Sequence, residues 1–326
     1  MIKLGVIGLG SIFPVQLKAL DILTEEYQLA AVCDNTPEKR EQFERTVRPS
    51  RPGAPPRIYE TAARLYEDPD VDAVLIATPP AAHFSLARAG LQSGKTVLLE
   101  KPAVLRYDDL VSLYAEADRG NARLHIAFHA AFAKDLEWFL EHSGEIASSP
   151  PAEIECRFYD PYMVNHEILP EKRALGGCYI DSGVNALSVC ARLTDLNGFS
   201  LRDKAETAED NPFGVVYEAR HTFASGDRSI TLMTGWNQGL NHKSTVLRFH
   251  DTDMELLLNH SDQQVILRQG GRERVIFRNS EQERLIAQYC GVFREFADSC
   301  QAGKDNRETA KSIHKLLLSA SKGDIF

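Results

Sequence analysis

The sequence predicts an α/β protein in which a doubly wound parallel sheet is followed by an α+β domain with a large open antiparallel sheet. In residues 1–124, short apolar runs alternate with helical segments, a pattern that requires parallel strands joined by crossovers. Further along, short polar turns separate the strands, which requires antiparallel pairing. The 326 residues are about twice the usual domain size. We therefore expect two domains, residues 1–124 and 125–326, with the last helix packing back on the first.

Hydrophobic patterning places the individual elements along the chain. Continuous apolar runs and alternating segments predict strands at Ile2–Ile7, Leu29–Cys33, Ala73–Ala77, Thr96–Leu99, Leu124–Phe128, Ile154–Tyr159, Val215–Phe223, Ser229–Thr234, Thr245–His250, Met254–Asn259, Gln264–Leu267 and Glu273–Phe277. Helical periodicity predicts helices at Val15–Leu23, Pro37–Val47, Ala82–Gln92, Asp108–Arg119, Tyr179–Leu193, Glu281–Ala302 and Glu308–Ser319. The proline-rich stretch Arg48–Pro56 is predicted to be a loop.

Composition excludes several classes of partner. The chain carries 37 Lys and Arg against 46 Asp and Glu, a formal charge of −9, which argues against nucleic acid or an anionic membrane as a partner. Its 6 cysteines form no CxxC pair and no zinc-type cluster, so we expect no metal site. With no apolar run of membrane-spanning length and no signal-type segment, we expect a cytoplasmic protein.

A glycine-containing turn follows the first predicted strand. Gly8 and Gly10 permit a tight turn and a close backbone approach, so a pyrophosphate can lie at the start of the next helix beside Ser11 and Ile12. Phe13 stands where this fingerprint usually has a small residue, which weakens the motif. Taken alone, the turn is equally compatible with a βα connection that binds no ligand.

An acidic residue at the end of the second strand favours the ligand-binding interpretation. The Asp34 carboxylate can accept hydrogen bonds from the adenosine ribose diol of a dinucleotide, with Asn35 beside it. A carboxylate at this position repels a 2′-phosphate, which favours NAD. Lys39 and Arg40 follow closely and keep NADP open as a cofactor, although they also suit a solvated helix face.

Two further loops follow buried strands and are expected to border the same crevice. Thr78, Pro79 and His83 follow the third long strand, although the two prolines also suit a simple helix start and the histidine a packing role. Glu100 and Lys101 follow the next strand. Partial burial there would lower the pKa of the lysine and make it usable for proton transfer. By themselves, Glu100 and Lys101 are equally typical of an exposed turn.

The predicted helix Tyr179–Leu193 carries two polar residues on one face. Asp181 and Asn185 lie one helical turn apart on one face, while the apolar residues Ile180, Val184, Leu187 and Val189 hold the helix in the core. An unpaired polar group in a core costs about 1–3 kcal/mol. We therefore expect Asp181 and Asn185 to face a solvent-filled cleft. The alternative is that they cap the helix or belong to a buried hydrogen-bond network.

Taken together, the motifs GLGSIF, CD, ATPPAAH, EKP and GGCYIDSGVNALS resemble the glucose–fructose oxidoreductase/inositol dehydrogenase (Gfo/Idh/MocA) family over nearly the whole chain. The resemblance implies a Rossmann domain that binds NAD or NADP, followed by a substrate domain with an open sheet. It implies that Lys101 is the catalytic lysine, that a cis peptide bond precedes Pro102, and that Asp181 is catalytic or binds substrate. It also implies a homodimer or homotetramer assembled through the C-terminal sheet.

One departure from the family pattern bears on the substrate. Many members have a proton-transferring histidine where this chain has Asn185, and asparagine cannot exchange a proton near neutral pH. The form DSGVNALS resembles the branch that contains L-arabinose and D-galactose 1-dehydrogenases, in which an Asp/Asn pair serves an aldose. The resemblance further implies substrate contacts from His129 and from the segment Asp160–His166, including His166.

These expectations combine into one hypothesis and two alternatives. The hypothesis is oxidation of an aldose at C1 to a lactone, with the proton passing to Asp181 or Lys101. One alternative is a dehydrogenase of the same fold that oxidises a ring hydroxyl of a sugar or polyol, or that reduces a ketone. The other is a non-catalytic, NAD(P)-binding sugar sensor.

Overall fold

The computed structural model describes residues 1–47, 54–147, 149–210, 214–250 and 252–320. The chain divides into two units. Unit 1 is Met1–Ala127 with Tyr289–Lys311, and unit 2 is Phe128–Gln288 with Ser312–Phe326. The division of the chain thus falls at residue 127, and residues 289–311 group with the first unit. Most of the predicted loop Arg48–Pro56 lies outside the described residues.

Unit 1 contains a six-stranded sheet in the order β3-β2-β1-β4-β5-β6. Every neighbouring pair is parallel, as the buried apolar runs predict. The strands are β1 (Ile2–Ile7), β2 (Tyr27–Cys33), β3 (Arg57–Tyr59), β4 (Ala73–Ile76), β5 (Thr96–Glu100) and β6 (Leu124–Ala127). The prediction of a doubly wound sheet is confirmed. Of the six strands in this sheet, the edge strand β3 alone was not predicted, because its three residues are too few to show a periodic pattern.

Helices connect these strands. They are α1 (Phe13–Ile22), α2 (Pro37–Thr46), α3 (Ala62–Tyr66), α4 (His83–Gln92) and α5 (Tyr107–Arg119). The short α3 was not predicted. Near the C-terminus follow α8 (Arg284–Ala302) and α9 (Arg307–Ala320), numbered after the helices of unit 2. Asn306, between these two helices, completes the ladder of β6: its Oδ1 accepts from the Ile126 N–H at 3.0 Å, and its Nδ2 donates to the Ile126 carbonyl at 2.8 Å.

Unit 2 contains an eight-stranded sheet in the order β10-β11-β12-β7-β13-β14-β15-β16. Its strands are β7 (Glu153–Tyr159), β10 (Ser200–Ala208), β11 (Val216–Ser225), β12 (Arg228–Gly235), β13 (His242–Arg248), β14 (Glu255–Asn259), β15 (Gln264–Gln269) and β16 (Arg272–Arg278). One pair differs from the prediction of a fully antiparallel sheet. β7 and β12 are parallel, since a long connection that includes a helix joins them, so the sheet is mixed.

The helix α7 (Cys178–Leu193) packs on the β7, β11 and β12 strands of this sheet and is buried throughout residues 178–190. The helix α6 (Lys134–Ile146) and the polar, mostly exposed edge strand β10 were not predicted, and neither was the two-stranded hairpin that follows β7. The hairpin β8 (Met163–Val164) and β9 (Glu167–Ile168) precedes α7. The core face of the sheet therefore lies against a helix that carries polar residues.

No helix in the described part of the chain has the length and apolar character needed to cross a membrane. Within the same residues, no group of three or more His, Cys, Asp and Glu side chains is placed to hold a metal ion.

The turn after β1 depends on a glycine. Gly8 has φ +101°, and a Cβ there would lie 2.5 Å from the Ala77 carbonyl oxygen. Gly94 shares the positive φ, at +75°, but a Cβ there would meet nothing within 4 Å. We expect Gly8→Ala to lower the free energy of unfolding by about 2–4 kcal/mol, because steric overlap adds to backbone strain. The matched control Gly94→Ala should cost about 1 kcal/mol. Urea unfolding followed by circular dichroism measures both, and equal losses would contradict this account.

Candidate functional site

The parallel register of unit 1 brings three loops to one edge of its sheet. Ile7 of β1 pairs with Ile76 of β4, and Ile76 pairs with Leu99 of β5. The three strands therefore end at nearly the same level, and the loops that begin at Gly8, Ala77 and Lys101 lie side by side. In doubly wound sheets this carboxyl edge is where ligands bind.

The turn after β1 has the properties of a phosphate-binding turn. The Gly8 N–H donates to the Cys33 carbonyl at 2.8 Å, which fixes the turn beside the end of β2. The space around Gly10 is open, since a Cβ there would meet nothing within 4 Å. In the described part of the chain, the N–H groups of Ser11 and Ile12 donate no hydrogen bond. A pyrophosphate bound at this turn would satisfy them.

Phe13 occupies the position where the dinucleotide fingerprint usually has a small residue. Its side chain is buried and packs against Phe43 of α2, with 5.9 Å between the ring centroids. The ring thus points into the interior of unit 1 and fills space between α1 and α2. The larger residue changes helix packing and leaves the turn at Gly10 open.

Asp34 accepts hydrogen bonds from two backbone N–H groups. Its Oδ2 accepts from Leu9 at 2.8 Å and its Oδ1 from Thr36 at 2.9 Å, while Lys39 Nζ lies 3.4 Å from Oδ2. Burial opposes ionisation, but these hydrogen bonds and the lysine charge hold the pKa of Asp34 below its usual value. Arg40 donates to the Asp34 main-chain carbonyl at 2.7 Å. Asp34 is therefore an anchored carboxylate with two cationic side chains beside it. The predicted neighbour Asn35 is exposed.

The loop after β4 contains one buried and one exposed candidate. His83 is fully buried, and its Nδ1 and Nε2 lie 2.8 Å from the carbonyl oxygens of Pro102 and Thr78. Burial lowers the pKa of His83, which favours a neutral ring, and a neutral ring donates a hydrogen bond to only one of these two carbonyls. Pro79 is exposed, and the buried Thr78 Oγ1 has no hydrogen-bond partner among the described residues. Contact of these residues with a cofactor stays a prediction.

The strand β5 ends with a buried glutamate. Oε1 of Glu100 accepts from Gln16 Nε2 at 2.8 Å and from the Tyr289 hydroxyl at 2.6 Å, while Oε2 accepts from the Lys101 N–H at 3.1 Å. Burial raises the pKa of Glu100. The peptide bond between Lys101 and Pro102 is cis, which confirms the prediction. The Glu100 carboxyl therefore holds the backbone from which the half-buried Lys101 side chain extends.

In unit 2, helix α7 places Asp181 and Asn185 one turn apart. Each side chain is almost buried, at 8% and 9% exposure. Asn185 Nδ2 lies 3.4 Å from the Asp181 carbonyl oxygen, and the buried Asn185 Oδ1 has no hydrogen-bond partner among the described residues. Gly177 precedes the helix at φ +96°, where a Cβ would come within 2.9 Å of the Val216 carbonyl oxygen. The start of the helix is thus tightly seated against β11.

A second acidic residue, Asp160, stands directly after β7. Its Oδ2 accepts from the Ser182 hydroxyl at 3.0 Å, and Lys243 Nζ lies 2.8 Å from its Oδ1. Lys243 also donates to the Tyr159 carbonyl and to Asn241 Oδ1, so its three N–H groups have acceptors. Burial lowers the pKa of Lys243, and the charge of Asp160 opposes that shift. This ion pair joins the end of β7 to α7.

A cavity of about 20 Å³ in unit 2 has room for one water molecule. Its lining residues are His129, Ala130, Phe158, Asn185, Lys243, His260, Arg284 and Gln288. The structure therefore brings together two predicted substrate residues, Asn185 and His129. The Nδ1 of His129 lies 2.9 Å from Gln288 Oε1, which fixes the ring.

The cavity includes four polar residues that sequence reasoning missed: Lys243, His260, Arg284 and Gln288. They occupy ordinary strand and helix positions in β13 and α8, and next to β14, and no short motif marks them. His260 lies between two partners, with Nδ1 2.6 Å from Asp135 Oδ2 and Nε2 2.8 Å from Thr245 Oγ1.

The predicted substrate residue His166 lies elsewhere in unit 2. It is exposed, has φ +65° and occupies the turn between β8 and β9, and it is not among the residues that line the cavity. Lys101 belongs to unit 1, and Asp181, Asn185 and His129 belong to unit 2. Their catalytic and binding roles stay predictions.

A family model described as an oxidoreductase family with an NAD-binding Rossmann fold matches residues 2–128. Residues 2–128 are therefore similar to that family. It covers the whole parallel sheet of unit 1, including the turn at Gly8 and the loop at Lys101.

Curated relatives match over part of their length. A 1-carboxy-3-chloro-3,4-dihydroxycyclohexa-1,5-diene dehydrogenase from Comamonas testosteroni is 31% identical over 130 residues, which are 40% of this chain and 31% of that protein. A myo-inositol 2-dehydrogenase from Thermotoga maritima is 24% identical over 56% of this chain and 52% of its own. A dTDP-3,4-didehydro-2,6-dideoxy-alpha-D-glucose 3-reductase from Saccharopolyspora spinosa is 28% identical over 56% and 53%. The chain thus spans about half the length of these relatives or less.

Solved structures share the fold of both units. A 3-ketoreductase from Actinomadura kijaniata, crystallised with NADP and TDP-benzene, matches with a TM-score of 0.80 over 98% of this chain and 95% of that chain at 20% identity. A UDP-N-acetylglucosamine 3-dehydrogenase from Acidithiobacillus ferrooxidans matches with a TM-score of 0.75 over 98% and 96% at 17% identity. At these identities the likeness establishes the fold.

The hydrogen bonds to the Asp34 carboxylate lead us to predict how the free energy of unfolding depends on pH. The pKa of Asp34 is lower in the folded protein than in the unfolded chain. The ionised carboxylate therefore stabilises the fold at pH values above the pKa of the unfolded chain, and this stabilisation is lost as the pH falls through the pKa of the folded protein. We expect Asp34→Asn to lower the free energy of unfolding by about 1–3 kcal/mol at pH 7. The difference from wild type should shrink below about pH 4.

Urea unfolding at a series of pH values measures this difference. The exposed Asp298, on α8 within unit 1, is a matched control, and Asp298→Asn should change stability by less than about 0.5 kcal/mol. If the difference in free energy of unfolding between Asp34→Asn and wild type stays constant from pH 7 to pH 3, ionisation of Asp34 contributes nothing to stability.

Proposed function

We propose that the protein is an NAD(P)-dependent oxidoreductase that acts on a CH–OH group of a sugar, and that its reaction is oxidation of an aldose at C1 to the aldonolactone. The observation that carries the proposal is the position of Lys101, whose loop shares the carboxyl edge of the unit 1 sheet with the turn at Gly8 and Gly10. A lysine at this edge is suited to chemistry beside a bound dinucleotide.

The residues of unit 1 fit a dinucleotide. The free N–H groups of Ser11 and Ile12 would hold the pyrophosphate, Asp34 would accept from the adenosine ribose, and the unpartnered Thr78 Oγ1 would contact the cofactor further along the edge. When bound, the nicotinamide ring supplies hydride acceptance at C4. The carboxylate of Asp34 favours NAD, and Lys39 and Arg40 beside it provide charge for a 2′-phosphate.

The residues of unit 2 would orient the sugar. In the proposed reaction, the C1 hydrogen leaves as hydride while the anomeric hydroxyl gives up its proton, so that a C=O bond forms. Asn185 binds a hydroxyl through its unpartnered Oδ1 but cannot take up the proton. The proton acceptor is therefore Asp181 or Lys101, and the other residue stabilises the charge that develops.

A second candidate is oxidation of a ring hydroxyl, or the reverse reduction of a ketone. The similarity to proteins named as a myo-inositol 2-dehydrogenase and a sugar 3-reductase favours it. The two candidates use the same cofactor and the same edge of unit 1. They differ in the carbon that loses hydride, and therefore in the product.

A product assay tests the proposal and separates the candidates. Purified protein is incubated with NAD or NADP and a panel of aldoses, uronic acids and polyols, and reduced cofactor is followed by absorbance. We expect reduction with an aldose or its uronic acid, and a product that hydroxylamine traps as a lactone. A ketone product from a polyol would support the second candidate. Absence of reduction with every substrate and both cofactors would overturn the oxidoreductase proposal.

The role proposed for Lys101 predicts a specific loss of turnover. We expect Lys101→Ala to lower kcat by about 100-fold or more, because a positioned proton-transfer or charge-stabilising group is removed. The dissociation constant of the cofactor, measured by fluorescence, should change by less than about threefold. Lys304→Ala, at an exposed position of unit 1, is the control and should keep full activity. Full turnover by Lys101→Ala would exclude this role.

A further inference from the structure

A buried hydrogen-bond network lies behind the Lys101 loop, and all of its members belong to unit 1. They are Gln16 of α1, Glu100 at the end of β5 and Tyr289 of α8, whose exposure lies between 0% and 6%. The Gln16 amide and the Tyr289 hydroxyl donate to Glu100 Oε1, and the Lys101 N–H donates to Oε2. A carboxyl group buried this deeply is tolerated because three donors surround it.

The charge of the Glu100 carboxyl depends on these donors. Burial raises the pKa of Glu100, because the charged form loses its hydration. The Tyr289 hydroxyl opposes this shift, as do the charge of Lys101, the Lys101 N–H and the Gln16 amide. The contact between the Tyr289 hydroxyl and Glu100 Oε1 is 2.6 Å long, a length typical of a hydroxyl that donates to an ionised carboxylate. Loss of this one hydroxyl would therefore favour the neutral form of Glu100.

The ionised carboxylate of Glu100 acts on Lys101 in two ways. It accepts the hydrogen bond from the Lys101 N–H, which fixes the start of the loop. The charge of Lys101 favours ionisation of Glu100, and because a Coulomb interaction is mutual, the carboxylate favours the ammonium form of Lys101. The interaction is stronger than it would be in water, since the carboxylate lies in the protein interior.

The other groups packed around this corner of unit 1 are neutral donors or a neutral ring. Helix α1 contributes the Gln16 amide, and α8 contributes the Tyr289 hydroxyl, whose pKa burial raises well above its usual value. The loop after β4 contributes His83, on which the charge of Lys101 also acts. Burial lowers the pKa of His83, so its ring is neutral at pH 7. Glu100 is thus the acidic group through which Tyr289 can change the charge of Lys101.

We propose that Tyr289 is a positioning residue for Lys101 and acts through Glu100. Its hydroxyl stabilises the Glu100 carboxylate in the interior of unit 1, and this carboxylate holds the loop and keeps Lys101 protonated. The inference rests on the proposed function, in which Lys101 takes part in the reaction. It adds that Lys101 enters the reaction as an ammonium ion, which donates a hydrogen bond to the substrate oxygen and stabilises negative charge there.

The titration of Lys101 tests the inference without any substrate. Lysine side chains are dimethylated with ¹³C-formaldehyde, and the Lys101 resonance is identified by its absence in Lys101→Arg and followed by NMR as the pH is raised. We expect Tyr289→Phe to lower the midpoint of this titration by about 0.5–1 pH units, because Glu100 loses charge. An unchanged midpoint would overturn the inference.

Tyr27→Phe is the matched control. Tyr27 is also a buried tyrosine of unit 1 that donates to α8, but its acceptor is the Phe293 carbonyl and not a carboxyl group. We expect this variant to leave the Lys101 midpoint where it is in wild type. A shift as large as that of Tyr289→Phe would mean that any loosening of α8 changes the titration, and the role of Tyr289 would be lost.

Glu100→Gln tests whether the effect of Tyr289 passes through the carboxyl group. This variant removes the charge and keeps the shape, so it should lower the Lys101 midpoint at least as far as Tyr289→Phe does. Adding Tyr289→Phe to it should produce no further shift, because the two residues act in series. Additive shifts would contradict the proposed route. If Glu100→Gln does not fold, Tyr289→Phe and its control still decide the question.

A pH profile connects the network to the proposed function. On the alkaline limb, we expect Tyr289→Phe to lower kcat/KM by about 3- to 10-fold, whereas at pH 7 the change should be less than about threefold. An equal loss at both pH values would indicate a structural defect and count against the inference. If the Lys101 midpoint shifts as expected while wild type reduces no cofactor with any substrate, the proposed function fails and the network stands.

Discussion

The parallel register of β1, β4 and β5 is the constraint on which the rest of unit 1 depends. Because these strands end at the same level, residues far apart in sequence meet at one sheet edge: the turn at Gly8, the loop at Thr78 and the loop at Lys101. A shift of one strand by a single residue would move each of its side chains to the opposite face of the sheet. The apolar residues of these strands therefore fix the geometry of the polar loops, although they take no part in chemistry.

The polar groups behind this edge show how a loop is held where it is needed. The buried Glu100 accepts hydrogen bonds from Gln16, Tyr289 and the Lys101 backbone, and the buried His83 ring lies between the carbonyls of Thr78 and Pro102 and donates to one of them. A buried polar group is tolerable only when it is hydrogen-bonded, so each contact ties one loop to a rigid element. In unit 2, Asp160 is held in the same way: it accepts a hydrogen bond from the Ser182 hydroxyl and forms an ion pair with Lys243.

The sequence predicts what depends on local pattern and misses what depends on tertiary packing. Buried runs such as Ile2–Ile7 predicted the parallel sheet, and the family resemblance implied the cis bond before Pro102. The exposed edge strand β10 and the parallel pairing of β7 with β12 left no such pattern. Arg284 was missed for a related reason: an arginine at a helix start is usually solvated, and only the fold places it at a cavity. Assembly through the unit 2 sheet stays a prediction.

Hydrogen-bond satisfaction separates the positioning residues from those that face a ligand. Lys243 and Glu100 are chemically versatile and buried, yet their polar atoms are engaged within their own units, so a substrate would have to displace a protein partner to reach them. Thr78 Oγ1 and Asn185 Oδ1 are buried and show the opposite condition among the described residues. Since an unsatisfied buried polar group costs about 1–3 kcal/mol, a fold that keeps several of them gains most when a ligand supplies the missing partners. By this criterion Thr78 Oγ1 and Asn185 Oδ1 are available to a ligand, whereas the buried ion pair of Asp160 and Lys243 joins the end of β7 to α7.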